Sequence, residues 1–143
     1  MSVSTISQMS SGDIAWMLTA TALVLLMTPG VGFFYGGMVR RKNASSVVIQ
    51  SLLVMCLVGT IWPILAYSIA FPPGILGGLI GGFDYVVLRD VWQDPTSSIP
   101  GLLDMVYQCM FAMVAAALGI GGFAERMRLS AFVIFIPTWV LLV

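Results

Sequence analysis

Histidine is absent from the 143 residues, and only 8% of them are charged, six basic and six acidic. Without histidine the usual general base and the commonest metal ligand are missing. With zero net charge there is no basic excess to hold nucleic acid or an anionic surface. Soluble domains carry about a quarter charged residues. A chain that is 59% hydrophobic and 8% charged has more apolar surface than a soluble fold of this size can hide, so part of its solvent is lipid. Cysteine is scarce too. Cys56 and Cys109 both sit in apolar runs and read as small buried hydrophobes, not as a disulfide or a metal pair. Residues 1–13 contain neither Lys nor Arg, whereas a secretory signal opens with a positive region, so the first apolar run reads as a retained span. No acid, base or metal cluster falls at membrane depth, and no nucleophile has a base beside it. An enzyme reading therefore has no support, and no cofactor or metal is expected.

What is present is organised in long apolar runs. A bilayer-crossing helix needs about 20 apolar residues. Such spans are expected at residues 14–38, 47–71 and 102–123, with a fourth beginning at Leu129 and still apolar at Val143. A helix cut short of the far interface would leave carbonyls in lipid, so the chain is expected to be truncated within this fourth helix. Between spans two and three, GILGGLIGGFDYVVL is apolar but short and glycine-rich. It is expected to form a surface or partly re-entrant loop. Arg40, Arg41 and Lys42 follow span one, and Arg126 and Arg128 follow span three. By the positive-inside rule both short loops are cytoplasmic, which places the N-terminus and the long loop outside. Glu125 beside Arg126 and Arg128 reads as a surface ion pair.

Two strings stand out. MTPGVGFFYGGMVRRKN, residues 27–43, ends an apolar run with proline, four glycines and three aromatics. Gly32 and Gly36 lie one turn apart, a small-xxx-small pattern that admits close backbone approach, and Pro29 removes a backbone hydrogen bond and can kink the span. Helix packing alone accounts for such a pattern; a close-packed helix lining a solute pathway is the sharper reading. In YQCMFAMVAAALGIGGFAER, the residues Tyr107, Phe111 and Leu118 share one helical stripe, continued by Ala115. Stacked aromatics can attract a cation by about 0.5–2 kcal/mol, although aromatics near an interface also serve as plain anchors.

Taken together, DIAWMLTATALVLLMTPGVGFFYGGMVRRKN and FAMVAAALGIGGFAERMRLSAFVIF resemble the first helix, and the third and fourth helices, of the ammonium transporter family (Amt/MEP/Rh), in its Amt branch. The resemblance covers nearly the whole chain except its extreme N-terminus and the long loop. It implies an all-α polytopic membrane bundle of eleven helices, built from two inverted repeats plus one helix and assembled as a homotrimer. Residues 1–143 would be the N-terminal part of that one membrane domain, supplying helices one to three and part of four.

The resemblance also implies roles. Tyr107 matches an outer aromatic that recruits ammonium, a position where the family often has Phe. Phe111 matches a gate one turn deeper. Val31, Phe34 and Leu118 match apolar pore-lining positions, and Gly32, Gly36 and Gly37 match the close-packed end of helix one. The family's paired pore histidines would lie beyond Val143. The implied function is ammonium or ammonia transport across the plasma membrane, through a channel-like apolar pore. A P-II type signalling protein is a possible cytoplasmic partner of the whole protein. The alternative is an ammonium sensor coupled to signalling, which would carry the same first three helices.

Overall fold

The computed structural model describes residues 10–71, 81–83, 85–89, 91 and 99–142. Its framework is helical. α1 runs Ser11–Met38, α2 runs Ala44–Ala70, α3 runs Gly101–Phe123 and α4 runs Leu129–Leu142. The first three are long and apolar enough to cross a bilayer. The expected spans match these helices to within three residues at each boundary. The difference at the start of α1 has a local cause: the Ser10 hydroxyl accepts the Asp13 N–H at 3.3 Å and caps the helix ahead of its apolar run.

A feature of α2 not expected from the apolar pattern is a π-helical turn at Trp62–Ala66, between α-helical Ala44–Ile61 and Tyr67–Ala70. Pro63 explains its place. Proline has no N–H, and its ring collides with the carbonyl four residues back. Widening the turn moves that carbonyl away, and the Tyr67 N–H then reaches the Trp62 carbonyl.

The packing of α1 inverts the soluble pattern. The buried residues of α1 are Thr21, Thr28, Gly32 and Gly36. Leu23, Leu26, Phe33 and Phe34 of the same helix are exposed. Small residues turned inward and large apolar ones outward suit helices that associate by close backbone approach in lipid. The shared core holds Val54 and Val58 of α2, Ala117 and Ile120 of α3, and Phe132 and Ile136 of α4. α4 rests more on α2 than on α3.

At the end of α2 remote from Arg40, the Ser68 hydroxyl donates to the Gly82 carbonyl at 2.8 Å and accepts the Tyr85 N–H at 3.2 Å. Gly81 lies so close that an added Cβ would sit 2.6 Å from the Ser68 carbonyl. The described part of the long loop is therefore seated on α2. The rest of the expected re-entrant string, residues 74–80 and Asp84, lies outside the described residues.

Candidate functional site

α3 carries two opposed faces. Met105, Cys109, Met113, Ala116, Ala117 and Ile120 are buried against the neighbouring helices. The stripe of Tyr107, Phe111, Ala115 and Leu118 points elsewhere. Tyr107 is half-buried, while Phe111 and Leu118 remain 46% and 49% exposed. The Tyr107 and Phe111 rings meet edge to face, with centroids 5.0 Å apart and planes at 74°. This is a preferred aromatic geometry. The four described helices leave this face uncovered, an apolar track headed by two aromatics.

α1 meets α2 and α3 through its glycines and one tyrosine. A Cβ at Gly32 would collide with the Ser51 side chain, 2.7 Å from its Cβ. One at Gly36 would come within 3.3 Å of Val48 Cγ2. Gly32 and Gly36 thus lie at the contact with α2. Gly37, grouped with them on the sequence, differs: an added Cβ there meets nothing within 4 Å, because it sits about 100° around the helix from Gly36.

Tyr35 ties α1 to α3. Its hydroxyl donates to the Leu118 carbonyl at 3.2 Å, and its ring lies over Gly121, where a Cβ would be 2.6 Å from the ring. Phe34 is exposed and its ring lies 5.5 Å from that of Tyr35. The structure therefore brings the Phe34–Tyr35 end of α1 to the Leu118 level of α3. Val31 is half-buried and packs against the shared core. Ser51 and Gly121, the partners of Gly32 and Tyr35, had no distinguishing signal on the sequence beyond their small size.

The charged end has its own arrangement. Glu125 Oε1 accepts the Arg40 N–H at 3.2 Å and the Asn43 amide at 2.8 Å. The Asn43 hydrogen bond, then that of Arg40, then the Arg40 and Lys42 charges hold its carboxyl below the usual carboxylate range. A depressed carboxyl pKa favours the ionised, hydrogen-bonded state at neutral pH, and this preference is lost as pH falls through the lowered value. The expected pairing of Glu125 with Arg126 and Arg128 is thus replaced. Its partners come from the α1–α2 turn, because the chain reverses at the end of α3 and sends the carboxylate across. An open cup of about 560 Å³ beside it is lined by Arg40, Lys42, Asn43, Glu125 and Arg126, with Gly121 and Gly122 at its wall.

Three helices long and apolar enough to cross a bilayer, packed closely on small residues, are the architecture of a polytopic membrane protein. The chain belongs to the ammonium transporter family: the profile described as Ammonium Transporter Family matches residues 15–143. This is a family of transporters and not of enzymes. The chain is 43% identical over 131 residues to ammonium transporter Amt1 of Archaeoglobus fulgidus, covering 92% of this chain and 32% of that protein. It is 41% identical over 138 residues to the ammonium transporter of Bacillus subtilis, covering 94% and 34%. Among solved structures, Saccharomyces cerevisiae Mep2 superposes with a TM-score of 0.86 at 35% identity, over 96% of this chain and 31% of that one. Candida albicans Mep2 gives 0.83 at 33% identity, over 95% and 30%. The chain spans about a third of the length of the relatives it matches.

Proposed function

We propose that this chain forms the first three helices and part of the fourth of an ammonium-conducting subunit, and that α3 supplies one wall of the conduit. The observation carrying this reading is the Tyr107–Phe111 pair at the head of the uncovered α3 track, in a chain whose relatives are named ammonium transporters. Ammonium is held at Tyr107 by cation–π attraction. Phe111, one turn deeper, admits only a solute that has shed its water. An ion buried in an apolar track is costly, so the track favours passage of neutral ammonia past Leu118. Phe34 and Val31 of α1 flank the same level. The charged end faces the cytoplasm, where positive residues are retained. The subunit works in a homotrimer, and a P-II type protein is a partner for its basic face.

The test separates the two aromatics in the whole transporter. Tyr107→Ala weakens apparent affinity for methylammonium by an amount equivalent to about 0.5–2 kcal/mol. Phe111→Ala changes maximal rate or selectivity and leaves the fold intact. A packed core Phe costs about 3–5 kcal/mol on truncation; a residue lining a conduit has fewer packing partners, so the stability loss is smaller. Uptake measured against concentration for both variants decides. Unchanged rate and selectivity in Phe111→Ala, with a strongly lowered melting temperature, would make Phe111 a packing residue and not a gate.

A further inference from the structure

The turn that follows α3 is built against local preference. Ala124 has φ −50° and ψ 132°, Glu125 has φ 65°, and the Arg126 N–H returns to the Phe123 carbonyl at 2.9 Å. This is the pattern of a type II turn, whose third position favours glycine or asparagine because φ is positive. A glutamate there carries backbone strain, and strain that persists is held by its surroundings. Across the gap a second preference is set aside. Asn43 stands at the N-cap of α2, the position where its side chain ordinarily caps the helix, yet it makes no capping hydrogen bond. Its amide goes to Glu125 instead. The other donor, the Arg40 N–H, belongs to the opposite end of the same turn, which is closed by the Asn43 N–H to the Arg40 carbonyl at 2.8 Å. One carboxylate oxygen therefore grips both ends of the α1–α2 turn.

We propose that Glu125 is a positioning residue of the transport path: its carboxylate pins the α1–α2 turn to the end of α3 and so fixes the spacing between the Phe34 end of α1 and the Leu118 level of α3. The inference rests on the conduction reading above. Tyr35 makes a second tie between α1 and α3 at this level, by its hydrogen bond to Leu118. It leans on Gly121, one turn before Glu125, so both ties act on the same stretch of α3. Without the Glu125 bonds, α1 swings about the Tyr35 contact and the track loses its width at Leu118. Gly121 and Gly122, which also line the basic cup, place this junction where the α3 track reaches the charged end. The group acts through the helices and touches no solute.

The experiment uses the whole transporter with two readouts. In Glu125→Ala and in Asn43→Ala, the maximal methylammonium uptake rate per transporter falls while apparent affinity stays as in the native protein. Misplacement by about 1 Å can cost about 10²-fold at a reacting centre, and a conduit tolerates more, so we expect roughly ten-fold. Adding Asn43→Ala to Glu125→Ala lowers the rate no further, because Glu125→Ala already removes both hydrogen bonds. Glu125→Gln, which keeps an oxygen acceptor, restores most of the rate lost in Glu125→Ala. Independently of transport, hydrogen exchange at the Arg40 amide accelerates in Glu125→Ala and returns towards native in Glu125→Gln. Unchanged exchange overturns the latch itself. Accelerated exchange with an unaltered rate, or with rate and affinity shifted together, overturns its positioning role. A native protein that takes up no methylammonium overturns the conduction reading, while the exchange measurement still reads the latch.

Discussion

Thr28 shows how a single side chain carries a cost inside this bundle. It is fully buried, and its hydroxyl has no hydrogen-bond partner among the described residues. It is enclosed by this chain's own helices, so its surroundings are already set here. A buried hydroxyl without a partner costs about 1–3 kcal/mol, and replacing it by an apolar group of the same shape is neutral or stabilising. Thr28→Val is therefore expected to keep or raise the melting temperature of the detergent-solubilised transporter. A clear fall would mean that the hydroxyl has a partner, such as a bound water. The same reasoning explains why Phe111 and Leu118 stand apart from Cys109 and Ala117 on one helix. What covers a side chain, and not its hydrophobicity, decides whether its loss is read in stability or in transport.

At the scale of elements, the glycines of α1 divide by what lies opposite them. Gly32 faces Ser51 of α2 with no room for a methyl group, whereas Gly37 faces open space. Gly32→Ala is expected to destabilise by about 1–3 kcal/mol, the usual range for overpacking. Ser51→Gly on the same background should recover part of the loss by vacating the colliding atoms. Gly37→Ala should be neutral or gain up to about 1 kcal/mol from helix propensity. Thermal unfolding of the three variants measures the contrast; equal losses at both glycines would show that the α1–α2 approach is not the governing contact. The π turn of α2 belongs to this scale as well. Pro63 displaces the helix register at Trp62–Ala66, and Trp62 at the start of this turn meets Tyr67 and Phe71 beyond it, with Tyr67 and Phe71 stacked at 4.9 Å.

For the whole molecule, charge placement sets orientation. Arg40, Arg41, Lys42, Arg126 and Arg128 occupy the two turns at one end of the bundle, and only Arg89 lies away from it. With Cys56 and Cys109 replaced, a cysteine at Ser45 is expected to be shielded from an impermeant reagent in intact cells. One at exposed Phe83 is expected to be labelled. The reverse pattern would invert the topology drawn from the positive-inside rule.

The order and extent of the spans were legible in the sequence because lipid imposes them locally: each helix must satisfy its own backbone and run apolar for about 20 residues. The Tyr107–Phe111–Leu118 stripe was legible for the same reason, since helical periodicity alone puts those positions on one face. Which glycine of α1 meets a neighbour was not legible, because Gly32, Gly36 and Gly37 differ only in what packs opposite them. Nor was the partner of Glu125. Its nearest charges in sequence are Arg126 and Arg128, but a left-handed residue at the end of α3 turns the carboxylate towards Arg40 and Asn43, more than eighty positions away. Periodicity and hydropathy are properties of one segment, so the sequence by itself determined the helices and their faces. Close approach and hydrogen bonding between segments depend on where two helices cross, and only the tertiary structure decided those.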